Sequence, residues 1–71
     1  MMLYFYQKRY KEIMESDHYP FHKDKMLAVL MTMMEKEYKI PMIRYTEWEE
    51  QNKEVIDLYN TIVNSRNLYE G

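Results

Sequence analysis

The stretch Met26-Leu27-Ala28-Val29-Leu30-Met31-Thr32-Met33-Met34, apolar except at Thr32, decides the fold of this chain. A helix that is apolar around most of its circumference has to be enclosed on several sides, by the flanking segments or by a second copy of the chain. Working outward, Leu27, Leu30, Met31, Met34 and Tyr38 fall on one stripe of such a helix, and Met26, Val29 and Met33 on a second stripe beside it. Two stripes call for two neighbours.

Punctuation on either side of this segment is sparse. The single glycine is Gly71 and the prolines are Pro20 and Pro41, so the chain divides into three pieces. In the first, Leu3, Tyr6, Tyr10, Ile13 and Met14 recur at helical spacing opposite Gln7, Lys8, Lys11, Glu12 and Glu15. This predicts an amphipathic helix over about 3–16, ending in Ser16-Asp17-His18-Tyr19-Pro20, where turn-favouring residues precede a proline. The second helix is predicted to start between Pro20 and Asp24, since proline is tolerated in a first turn, and to run over about 22–38, with Asp24 near the positive end of its dipole. Ile40 to Tyr45 reads as a connector whose Ile40, Met42 and Ile43 cap one end of the core. The third helix is predicted over about 47–66, opened by Thr46 and Glu49 as a capping box and fraying near Asn67. Its apolar face runs from Trp48 through Val55, Ile56, Tyr59, Ile62 and Val63. The expected architecture is an all-α three-helix bundle, one domain over 1–71, with a central, broadly apolar second helix.

At 71 residues, a single core leaves only a few kcal/mol of net stability, roughly 3 to 5, and oligomerisation is a common supplement. A homodimer is therefore expected as one option. The absence of cysteine rules out a disulfide framework and a thiolate metal site, which suits a reducing compartment. A bilayer span needs about 20 apolar residues, more than the central run offers, and the amino terminus lacks the pattern of an export signal. A cytoplasmic location without membrane insertion is the expectation.

Chemistry is scarce. With no Cys nucleophile, no glycine-rich phosphate loop, no zinc-protease motif and no calcium loop, the chain is expected not to be an enzyme and to need no cofactor. Asp17, His18, His22 and Asp24 combine imidazole and carboxylate, but Pro20 interrupts the helical spacing of the two histidines and a closed four-coordinate site is not assembled. No metal is expected. The formal net charge of −2, with Glu47, Glu49, Glu50, Glu54, Asp57 and Glu70 in the last third, disfavours a dedicated nucleic-acid binder. A rival platform nevertheless exists in Tyr4, Lys8, Arg9 and Lys11, since bases stack on aromatic rings while cations follow phosphates.

The expected function is non-enzymatic protein–protein contact, as a homodimeric regulatory or adaptor module of a bacterium or its mobile elements. Aromatic and Met side chains dominate such interfaces, which nominates Met26, Met33 and Tyr38 from the second helix and Trp48 and Tyr59 from the third. The same residues also suit a purely internal role, because Met fills irregular core space well.

The opening Leu3-Tyr4-Phe5-Tyr6, the segment Glu35-Lys36-Glu37-Tyr38, and Met42-Ile43 shortly before Glu47-Trp48 resemble the small all-helical YqgQ-like proteins of low-GC Gram-positive bacteria. Where those proteins carry a Tyr-Gly turn followed by Gly-Asp, this chain has Ser16-Asp17-His18-Tyr19-Pro20-Phe21. The resemblance implies a three-helix fold and a single-stranded nucleic-acid role.

Overall fold

Side-chain periodicity becomes helix as soon as each segment can close its own backbone hydrogen bonds, and the ends show how. The computed structural model describes residues 2–66, which form α1 (Met2–Glu15), α2 (Pro20–Tyr38), α3 (Thr46–Gln51) and α4 (Lys53–Arg66), with no strand among the described residues. The chain is all-α. Ser16 stops α1 by folding back: its backbone amide (3.2 Å) and its hydroxyl (2.7 Å) both donate to the Ile13 carbonyl. Tyr19 is extended, and Pro20 opens α2 in the first turn, where a missing amide hydrogen costs nothing.

Helix α2 begins at Pro20, the early end of the expected range, so Asp24 lies beyond the first turn, which contains no acid, and its carboxylate engages Arg66 instead of the helix dipole. The expected third helix is two helices. Asn52 breaks it with φ −126 and ψ 44, its side-chain amide donating to the Trp48 carbonyl at 2.9 Å, so that α4 restarts at Lys53. The Asn52 backbone amide also donates to the Trp48 carbonyl, at 3.0 Å, so side chain and main chain share one acceptor at the break, a local bonding pattern typical of Asn. The capping box does not form either. Tyr45 is the N-cap, no side chain caps it, and the Glu49 amide donates to the Tyr45 carbonyl at 3.0 Å. The expected fraying near Asn67 lies outside the described residues.

Helix α2 ends without glycine. Lys39 takes the left-handed conformation (φ 56, ψ 49), and the amides of Lys39 and Ile40 both reach back to the Glu35 carbonyl. In the connector only Ile40 packs against the core. Met42 and Ile43 are 95% and 81% exposed, so the expectation that they cap it is wrong: Pro41 carries the chain away from the α2 end before they arrive.

The core consists of Tyr6 and Ile13 from α1, Leu27, Leu30 and Met34 from α2, and Ile62 from α4. Helix α2 packs on both α1 and α4, α1 also touches α4, and α3 packs only on α4. Tyr6 donates to Glu37 while Lys23 donates to the Met14 carbonyl, so α1 and α2 are antiparallel. Tyr59 meets Glu35 and Arg66 meets Asp24, which makes α2 and α4 antiparallel too. The molecule is a slab of 37 × 29 × 16 Å. Helices pack 8–10 Å apart, so a slab this thin has about two layers and cannot surround α2 on every side.

Candidate functional site

Consider first what α2 turns away from the core. Its three carboxylates all point to its flanks. Asp24 accepts from Arg66 (Nε to Oδ1 2.8 Å), Glu35 from the Tyr59 hydroxyl (2.5 Å) and Glu37 from the Tyr6 hydroxyl (3.2 Å). The outer face is left with Phe21, Lys25, Val29 and Met33 at four-residue spacing, accompanied by His22, Thr32 and Lys36, all exposed. Exposure is 66% at Phe21, 60% at Val29 and 40% at Met33. Lys25 Nζ lies 4.9 Å from the Phe21 ring centroid, a cation over an aromatic face. Neither Lys25 nor Lys36 forms an ion pair among the described residues. This face thus mixes three apolar side chains with Lys25 and Lys36, and Lys25 interrupts the ladder between Phe21 and Val29.

Beside the C-terminal end of the same helix lies a cleft of about 270 Å³, lined by two carboxylates and one guanidinium. Ile40, Pro41, Met42 and Ile56 supply apolar walls, and Glu35, Glu49, Tyr59, Asn60 and Arg44 supply polar ones. The Tyr59 hydroxyl is pushed up to about 12, first by burial and then by its bond to Glu35 and that carboxylate's charge, so it stays a donor at neutral pH. Glu49 is held by Arg44 at 3.2 Å, and the Arg44 side chain is itself 84% exposed.

The flanks are closed by tyrosines and one ion pair. Ser65, the one buried polar side chain of the described core, donates to the Thr61 carbonyl (2.9 Å), which leaves the Tyr10 hydroxyl to donate to Ser65 Oγ (2.7 Å). Burial raises Tyr6 and Tyr38, with the Glu37 charge adding to both. Arg66 hydrogen-bonds hold Asp24 below its usual range, against a smaller opposing effect of burial.

The five side chains nominated for a protein interface are not brought together. Met26, Tyr38 and Tyr59 pack against the core, Tyr38 with its ring 5.8 Å from that of Tyr6, and Trp48 is half-buried on α3. Met33 alone of the five lies on the outer face of α2. Phe21, although it shares the ladder of Val29 and Met33, was not among the nominated residues. Its signal is the four-residue spacing Phe21, Lys25, Val29, Met33, which runs across the presumed start of the helix.

Of the rival set, Tyr4, Lys8 and Lys11 adjoin in a shallow depression on α1, together with Gln7, Glu12 and Glu15. Arg9 is drawn aside to Glu12 at 3.1 Å. Asp17, His18 and His22 are exposed, the two imidazoles lie 6.1 Å apart, and Asp24 is engaged by Arg66. Among the described residues no three potential ligands are grouped to hold a metal ion, and no helix is long and apolar enough to cross a membrane. Comparison with family models, with curated proteins and with solved structures finds no match for this chain.

Proposed function

We propose that this chain is a non-enzymatic module that acts by protein contact, through the outer face of α2. In this reading α1, α2 and α4 constitute a three-helix bundle with α3 appended to α4, in a cytoplasmic protein of bacterial or mobile-element origin. The single observation that carries the proposal is the exposed ladder Phe21, Val29 and Met33 on a helix whose carboxylates are all turned to its flanks. Apolar anchors along one face are the way a helix is read by another protein, and Met and Phe are favoured at such contacts; here Phe21, Val29 and Met33 stand at i, i+8 and i+12, with Lys25 between the first two. A contiguous exposed apolar patch rimmed by polar groups is the usual mark of an interaction site.

A photo-cross-linking residue at position 29, compared with one at the exposed position 61 on α4, tests the reading. Protein adducts from 29 and not from 61 are the expected result. Equal or absent labelling at both positions, in host extract and in the purified protein, would refute it.

A second reading has one observation in its favour: the Tyr4 ring, 67% exposed, adjoins Lys8 and Lys11. Glu12 and Glu15 line the same depression and oppose phosphate. Titration of a labelled single strand at low and moderate salt decides it. The single-strand reading requires binding at low salt that is lost in Lys8→Glu, and on the protein-contact reading there is no binding at either salt.

A further inference from the structure

We infer that residues 42–51, the exposed end of the connector together with α3, form a hinged strap that opens as a unit while α1, α2 and α4 stay packed. The observation that carries this is the distribution of cross-links among the helices. Helix α1 is fastened to α2 by Tyr6 on Glu37 and by Lys23 on the Met14 carbonyl, and to α4 by the Tyr10 and Ser65 hydroxyls. Helix α2 is fastened to α4 by Tyr59 on Glu35 and by Arg66 on Asp24. Among the described residues, no side-chain hydrogen bond or ion pair joins residues 42–51 to any of these three helices. The strap is bonded to itself: Arg44 reaches Glu49 at 3.2 Å, and the Glu49 amide donates to the Tyr45 carbonyl at 3.0 Å.

Apolar packing holds it no better. Helix α3 packs only on α4, contributes no buried residue, and has just two side chains that are not exposed, Trp48 and Glu49. Trp48 is its one apolar side chain and therefore its anchor. A unit with few buried apolar contacts and a solvated backbone opens at a lower free energy than the whole fold. Both ends offer a pivot. Ile40 is the last connector residue packed against the core, and Asn52, at φ −126 and ψ 44, already interrupts the helix on the other side. Once off α4, a helix of six residues cannot keep its hydrogen bonds, since isolated helices shorter than about 12–15 residues are marginal in water. Opening carries away the wall that Met42, Arg44 and Glu49 give the cleft and leaves the Glu35 and Tyr59 wall in place, so the cleft is closed on one side by a movable part.

Native-state hydrogen exchange on the full chain, corrected for intrinsic rates, provides the test. The amides of Glu49 and Asn52 are expected to exchange roughly tenfold or more faster than those of Leu30 and Ile62, at rates that low urea hardly changes, because a small opening exposes little surface. Equal protection of Glu49 and Asn52 marks a single unit. Trp48→Ala removes the anchor and is expected to speed both strap amides by a further factor of roughly ten while Leu30 and Ile62 keep their rates. Strap amides that match the core in rate and in urea dependence would overturn the inference. So would a Trp48→Ala variant whose core amides accelerate equally, or one that fails to fold, since α3 would then belong to the cooperative core. Protection that falls off from Asn52 to Glu49 would reduce the strap to a frayed helix end. None of these outcomes touches the reading of α2 as a contact surface, which stands or falls on labelling from position 29.

Discussion

Apolar side chains of the same kind meet opposite fates on the two sides of α2. Leu27, Leu30 and Met34 are buried to 2% exposure or less, whereas Val29 and Met33, on the same helix, are 60% and 40% exposed. Residue type does not separate them. What separates them is position relative to α1 and α4, the two helices that α2 has as neighbours. A short chain can supply cover for one side of an apolar rod, and the side left over becomes a surface for something else.

The strongest attempt to break this contrast is Leu27→Ala against Val29→Ala. Leu27 is fully buried, and its truncation is expected to cost about 2–5 kcal/mol, comparable with the whole stability of a domain this size. Urea titration at low protein concentration should find that variant largely unfolded and Val29→Ala within about 0.5 kcal/mol of the wild type. Equal losses would mean that the two faces are equally buried in solution.

The flanks that divide the faces can be probed next. Tyr59→Phe removes the donor to Glu35 and is expected to cost about 1.5 kcal/mol, the lower end for a hydrogen bond to a charged group. The folded Tyr59 titrates at about 12 against 10.0 unperturbed, so its contribution is complete below pH 10 and fades as pH rises through about 12. Thermal melts at pH 7 and in strong alkali should show the wild type losing its margin over Tyr59→Phe. On the same flank, Asp24→Asn is expected to cost on the order of 1 kcal/mol at neutral pH for a partly exposed, two-pronged pair with Arg66. Because Asp24 is depressed from 3.8, its contribution is present above that value and is lost as pH falls through the lower folded one. The melting temperature of the wild type should therefore converge on that of Asp24→Asn in acid. If the two stay apart, the Arg66 pair is not what fastens the end of α4 to α2.

The smallest effect sharpens the boundary of α2. Lys39 is the one residue with positive φ among those described, and Lys39→Gly removes the clash of its Cβ. A gain of up to about 1 kcal/mol is expected, measured as a higher urea midpoint. A loss instead would show that the left-handed turn is not strained.

Much of the fold was legible beforehand. Pro20 and Pro41 bound α2 to within two residues, and the line Leu27, Leu30, Met34 was recognisable as core from its spacing. Three things were not legible. At the break, the side-chain and backbone amides of Asn52 share the Trp48 carbonyl, a local arrangement that periodicity does not register. The exposure of Met42 and Ile43 follows from the path after Pro41. The candidate surface was half visible: Met33 and Val29 stood out as a second stripe, but Phe21, in the first turn of the helix, was not joined to it.

Helical class, the approximate ends of α1 and α2 and the identity of the buried line follow from the amino-acid order alone, because a 3.6-residue period and the backbone limits of proline are properties of neighbours along the chain. Which stripe of α2 faces water, which carboxylate each tyrosine meets, and which side chains gather in the cleft beside its C-terminal end were decided only by the tertiary structure. Those outcomes depend on how helices distant in sequence lie side by side. Residues 24 and 66, or 35 and 59, have no relation until α2 and α4 are packed antiparallel.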